Sequence, residues 1–127
     1  MNNPPIPTVI VSRPGIMQQS LQASLAASPE IAVIAASGDG LSALCQVRQL
    51  QPGLLVIDSN LLEEEAIALI SAVKTEQPTI RCLVFINLHQ HQRQMVSAGA
   101  DEVAFRHGSS QQLQAILARL TSMANNR

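Results

Sequence analysis

Short apolar runs alternate along this chain with longer stretches whose apolar residues return at helical spacing, and this alternation constrains the fold more than any single motif. Thr8-Val9-Ile10-Val11 is apolar on both faces, and so are Ile31 to Ala36 and Leu54-Leu55-Val56-Ile57-Asp58 up to its terminal carboxylate. Ile80 to Ile86 and Glu102 to Phe105 supply a fourth and a fifth run. A strand without a polar face needs cover on both sides, which is the situation of a parallel strand between two layers of helices. Pro14 and Gly15 end the first run, and Ile16, Leu21, Leu25 and Ala26 mark a helix that stops before Pro29. Ser37-Gly38-Asp39-Gly40 is a turn, from which Leu41, Leu44, Cys45, Val47 and Arg48 continue as an amphipathic helix to Pro52-Gly53. A third helix runs from Leu62 to about Glu76, a fourth from Gln92 to Ala98, and a fifth from Ser109 to Met123, capped by Ser109 or Ser110.

Repeated β-α units with short connections predict an α/β fold, a parallel sheet with right-handed crossovers and helices on both faces. For five strands and five helices the commonest solution is the flavodoxin-like, doubly wound order 2-1-3-4-5. A chain of 127 residues without an internal shift in composition fits one domain. Pro4, Pro5 and Pro7 place the start of order at Thr8, so residues 1–7 are expected as a tail, 8–123 as the domain and 124–127 as a second tail.

Composition then excludes several function classes. Eight basic against nine acidic residues give a net charge of -1, which offers nothing to nucleic acid or to an anionic membrane. With no Trp, no Tyr and only Phe85 and Phe105, platforms on which bases or sugars could stack are nearly excluded. No apolar run reaches the roughly 18 residues of a membrane span, and Met1-Asn2-Asn3-Pro4-Pro5 has neither the basic nor the apolar region of a signal peptide, so a cytoplasmic location is expected. Cys45 and Cys82, each within an apolar pattern, read as reduced and buried residues.

In an open parallel sheet, chemistry gathers outside the carboxyl ends of the strands, next to the switch point. Ser12-Arg13, Asp58, Ile86-Asn87 and Arg106 stand at those ends. Together with Ala98-Gly99-Ala100-Asp101 before the fifth strand and Gly38-Asp39-Gly40 before the second helix, these stretches resemble the receiver domain of bacterial response regulators, over roughly Thr8 to Leu120. The wording is closest to receivers that carry a helix-turn-helix output domain. The resemblance implies an acidic pair after strand one that holds a divalent metal with the strand-three aspartate, a hydroxyl at the end of strand four and a lysine at the end of strand five. Only Asp58, at the phosphoacceptor position, matches that pattern. Ser12 and Arg13 take the place of the acidic pair, Ile86 that of the hydroxyl, Arg106 that of the lysine, and Val103 that of the aromatic switch residue. The resemblance is therefore to a degenerate receiver, or pseudo-receiver, with no cofactor and no metal. It implies a protein-interaction role with a histidine kinase or an output domain as partner, a weak homodimer through helix one with helix five or through the strand-five face, and no enzymatic activity. The alternative is a receiver still phosphorylated on Asp58 by a histidine kinase, and a third reading is an anion site on Arg13 and Arg106.

Other residues have plainer readings. Asp58 either caps the next loop or pairs with Arg13, Arg106 or both, and pairing is the expectation because three charged side chains converge there. His89, His91 and His107 are expected as polar loop residues, since a spacing of two parts neighbours on a helix and no further ligand stands nearby. Glu63, Glu64 and Glu65 suit the positive end of a helix as solvated partners. Gly38-Asp39-Gly40 lacks the remaining glycines of a phosphate-cradling loop. Leu113, Ile116, Leu117 and Leu120 form one apolar face of the last helix, and its Gln and Ala flank, with Gln90, Gln92 and Gln94, gives a low-charge surface open to association.

Overall fold

In the computed structural model, which describes residues 4–106 and 108–125, strand and helix alternate throughout. The order is β1 (Ile6–Val11), α1 (Ile16–Ala26), β2 (Ile31–Ser37), α2 (Gly40–Leu50), β3 (Leu54–Ile57), α3 (Glu63–Glu76), β4 (Arg81–Ile86), α4 (Gln92–Ala98), β5 (Glu102–Phe105) and α5 (Ser110–Asn125), with a single 3₁₀ turn at His89–His91 leading into α4. All strand pairs are parallel and the sheet order is β2-β1-β3-β4-β5, the flavodoxin-like order expected from the sequence.

Period-two alternation along the strands divides the core in two. Val9, Val11, Leu55, Ile57, Cys82 and Val84 face one way and meet Ala43 and Val47 of α2, Leu69, Ile70 and Val73 of α3 and Met95 of α4. Ile10, Leu54, Val56, Leu83 and Phe85 face the other way and meet Leu21 and Leu25 of α1 and Leu117 and Leu120 of α5. Every residue of β3 is buried, as the absence of a polar face in Leu54-Leu55-Val56-Ile57 requires. Each large aliphatic side chain so enclosed contributes on the order of 2 kcal/mol of transfer free energy. At the amino end of the sheet Asp101, from the Ala98-Gly99-Ala100-Asp101 stretch, accepts from Lys74 Nζ at 3.0 Å and from the Cys82 N–H at 2.8 Å, which fixes the entry of β5 beside β4. Gly99 has φ +120 and an added Cβ would lie 2.9 Å from Lys74 Cγ, so both backbone and space call for glycine there.

Several boundaries differ from the sequence reading. Order begins in β1 at Ile6, not Thr8, and Pro7 lies inside the strand. Proline is tolerated because its missing N–H faces β3, and β1 pairs with β3 only from Thr8 onward. At Pro7 the neighbouring chain is still the turn into β3, where the Gly53 N–H donates to the Pro7 carbonyl at 2.9 Å. Asp58 follows β3 and does not belong to it, and α5 continues to Asn125, beyond the expected end at Met123. On α2 the inward residues are Gly40, Ala43 and Val47, so Leu41 and Cys45 are exposed. Cys45 is therefore not the buried thiol expected, because the seam of α2 is offset by two residues from it. Cys82 is buried and free, and burial pushes its thiol up to about 12. The outer parts of the expected tails, 1–3 and 126–127, the His107 loop reading and the side chain of Ser110 lie outside the described residues. Among the described residues no helix is long and apolar enough to cross a membrane.

Candidate functional site

The ends of β1, β3 and β5 converge on Asp58. Its side chain is fully buried, and its two oxygens receive three donors. Ser12 Oγ, also buried at the end of β1, donates to Oδ2 at 2.7 Å. The Ser59 N–H donates to Oδ1 at 2.8 Å, and Arg106 Nε, arriving from the end of β5, donates to the same oxygen at 3.0 Å. The expected ion pair is thus formed with Arg106, whose side chain is 22% exposed. The cost of taking a carboxylate out of water is offset here by a donor to each oxygen and a guanidinium against it.

Arg106 also holds two other elements. One Nη donates to the Met17 carbonyl in the first turn of α1 at 3.3 Å, and the guanidinium carbon lies 5.7 Å from the centre of the Phe85 ring. Its own N–H donates to the Ile86 carbonyl at 3.1 Å, so the ends of β4 and β5 are zipped together behind the pair. Ile86 is buried and presents no hydroxyl. Asn87 is exposed and, among the described residues, makes no hydrogen bond with the other strand-end residues.

Arg13 does not reach Asp58. Its N–H donates to Asn60 Oδ1 at 3.1 Å, its Nε to the Asn60 carbonyl at 3.0 Å, and its Nη2 pairs with Glu65 Oε1 at 3.3 Å. Glu65 in turn accepts the Gly40 N–H at 2.7 Å, closing the amino end of α2. The Glu63 to Glu65 run is accordingly more than a set of solvated dipole partners, because Glu63 also lies 3.0 Å from His91 Nε2. Asn60 is the hub between the two halves, since its Nδ2 donates to Ser12 Oγ at 3.2 Å while its oxygens hold Arg13. No sequence signal marks Asn60 or Glu65 for these tasks beyond their closeness to Asp58, and the Met17 carbonyl carries none at all.

The histidines do not assemble a site. His89 sits edge-on to Phe105 with ring centres 4.4 Å apart, while His91 turns to Glu63. Among the described residues no three His, Cys, Asp or Glu side chains come together as a set of metal ligands. Gly38-Asp39-Gly40 acts as a helix start, with Asp39 accepting from the Ser42 N–H at 2.8 Å, a bond that lowers its carboxyl from the ordinary value.

No protein-family model and no curated protein matches the sequence. The fold is similar to that of solved receiver domains. The signal receiver domain of the response regulator NarL from Mycobacterium tuberculosis is 15% identical, with a TM-score of 0.83 over 98% of this chain and 100% of that one. The response regulatory domain of MrkE from Klebsiella pneumoniae is 14% identical, with a TM-score of 0.84 over 96% and 100%. The Salmonella typhimurium response regulator RcsB, in a structure described for its DNA interaction, is 17% identical, with a TM-score of 0.81 over 94% of this chain and 60% of that one. Identities this low establish the architecture, and the chain has the fold of a response regulator receiver domain.

Proposed function

We propose that this chain is a receiver-type domain of bacterial two-component signalling that works in the cytoplasm as a protein-interaction module without the usual metal-dependent phosphorylation. The observation that carries the reading is the enclosure of Asp58: its buried oxygens accept from Ser12 Oγ, the Ser59 N–H and the guanidinium of Arg106. A divalent metal of the kind receivers employ needs a set of hard oxygen ligands with enough negative charge to replace water. Here the carboxylate that would start such a set is enclosed, and the neighbouring position holds the guanidinium of Arg13, which is tied to Asn60 and Glu65. The donor set does not fit the metal, and no step is routed through one. The hydroxyl task implied by the resemblance has likewise no counterpart in Ile86, which is buried and apolar, and Arg106, at the lysine position, is already engaged with Asp58. The third reading, a free anion site on the two arginines, loses support for the same reason, since both guanidiniums are paired.

On this reading the domain is not an enzyme and takes no cofactor. Its partner is a protein, either a histidine kinase or an output domain, and the chain itself does not contact nucleic acid. The test is a magnesium titration followed by NMR together with incubation in acetyl phosphate followed by intact mass. The expected result is no saturable shift at the Asp58 loop and no phosphoryl adduct. Stoichiometric phosphate on Asp58 at millimolar metal overturns the proposal and establishes the alternative, a receiver that accepts phosphate from a histidine kinase.

A further inference from the structure

Leu113, Ile116, Leu117 and Leu120 recur along one face of α5, yet the domain does not take them up equally. Leu117 and Leu120 are closed off in the core, whereas Leu113 and Ile116, nearer the start of the helix, stay partly exposed. The side chains opposite that half of α5 are small, Ala104 on β5 and Ser24 and Ala27 on α1, and they leave the space in front of the two aliphatic groups unfilled. The result is a cleft of about 690 Å³ between α1, β5 and α5, with the buried Leu21, Phe85 and Ala104 as its floor and Leu113 and Ile116 as one wall. Protein interiors are otherwise packed almost without voids, so an opening of this size along an apolar face departs from the rule. Its volume falls within the range of small-molecule sites.

We infer that this cleft binds an uncharged, mostly apolar small molecule that carries a carbonyl group. Among the described residues that line it, the ionised ones are Arg106 and Arg119, and each is already paired within the chain, with Asp58 at 3.0 Å and with Glu102 at 2.8 Å. An ionised ligand would give up water there and find no unpaired counter-charge. The hydrogen-bonding groups left over are neutral. Gln112 spends Oε1 on the Ser109 N–H, and its amide NH2, like the Ser24 hydroxyl on α1, has no partner among the described residues. Both residues are exposed and line the cleft, and both offer a donor to an acceptor oxygen. Apolar walls with a few polar groups that fix orientation are the pattern of a small-molecule site. Water over Ala104, Leu113 and Ile116 finds few partners, and an apolar body that displaces it gains by doing so.

The inference goes beyond the proposed function and holds whether or not Asp58 accepts phosphate. The test is titration of the full chain with Prodan, a neutral naphthalene that carries a ketone and whose emission moves to the blue when it leaves water. The expected result is saturable binding of one molecule per chain with Kd on the order of 10 μM. Amide shifts followed by NMR are confined to β5, the first half of α5 and the facing turns of α1. Ser24→Phe on α1 and Ala115→Phe on α5, both at exposed positions lining the cleft, each fill it and weaken binding by roughly tenfold or more, whereas Ala23→Phe, exposed on α1 outside the cleft, changes it by less than about twofold. Circular dichroism checks that each variant is folded. Anilinonaphthalene sulfonate, similar in size but anionic, binds more weakly than Prodan. No saturation up to about 300 μM, shifts that gather instead at the exposed Leu41, Leu62 and Leu88, either filling variant binding as before, or tighter binding of the anion each overturns the proposal. Prodan binding that fades as protein concentration rises also overturns it, since a second copy of the chain would then be what covers the cleft.

Discussion

Asp58 and Arg106 are separated by 48 residues and meet only because β3 and β5 end at the same edge of the sheet. Since the Asp58 side chain is without exposure, removing its charge leaves Arg106 partly buried and unpaired, and Asp58→Asn is expected to cost about 3 kcal/mol in urea unfolding. A double-mutant cycle with Arg106→Ala shows coupling, whereas the cycle with Arg13→Ala is additive, because Arg13 spends its guanidinium on Asn60 and Glu65. Coupling to Arg13 and none to Arg106 would contradict the geometry. The participants were legible in the sequence as strand-end residues, but the choice between the two arginines was not, since it is made by Asn60 and Glu65 through contacts that no local pattern encodes. The cysteines show the same limit. Apolar neighbours made both look buried, yet a helix turns Cys45 outward, so native protein is expected to alkylate with iodoacetamide at Cys45 at once and at Cys82 only on unfolding. Burial raises the Cys82 thiol from 9.0 to about 12, so the unfolded chain releases this proton first. The stability it contributes is complete below the unfolded value and is lost as pH rises from there toward 12, a decline that Cys82→Ala removes from an alkaline unfolding series.

At the scale of elements, the sheet order and all five strands followed from apolar runs, while the ends of the elements followed only where a specific side chain sets them. Helix α5 is such a case. Ser109 Oγ accepts from the Gln112 N–H at 3.2 Å and Gln112 Oε1 accepts from the Ser109 N–H at 3.1 Å, a reciprocal capping box whose spacing is visible in Ser109-Ser110-Gln111-Gln112. Ser109→Ala is expected to lower stability by about 1 kcal/mol, measured by thermal unfolding, and Ser109→Asp to keep most of it. No loss on Ser109→Ala would mean that the cap is not used in solution. Where no cap exists, burial decides. The start of β1 at Ile6 was hidden by Pro7, because a rule against proline in sheets applies to a strand paired on both sides, and at Pro7 the β3 side is not yet a strand. Ile6 is buried against Gly53, where an added Cβ would lie 2.6 Å from Ile6 Cγ2, so the close approach of the β1 entry to the turn before β3 is fixed by packing that the sequence does not display.

For the molecule as a whole, the two cores are separated by the sheet and share only its strands, so β1, β3 and β4, with helices on both faces, are the last parts able to open alone. The carboxyl edge is held differently. There Arg106 connects the end of β5 to Asp58 after β3, to the Met17 carbonyl on α1 and to the Phe85 ring on β4, while Asn60 connects β1 to the loop before α3. Removing Arg106 thus loosens several elements at once without opening either core, since of its side-chain contacts only the Phe85 ring belongs to an apolar cluster. Hydrogen exchange followed by NMR is expected to show, in Arg106→Ala, faster exchange in the first turn of α1 and at the β5–α5 junction, with little change at the amide of Val56 in β3 beyond the global loss of stability. Arg13→Ala is expected to leave the β5–α5 junction unchanged and to affect the α2 and α3 starts, where Glu65 is freed. Uniform acceleration across all strands in Arg106→Ala, with no excess at α1 and β5, would mean that the arginine contributes only to global stability, and that the carboxyl edge is not held by it as a unit.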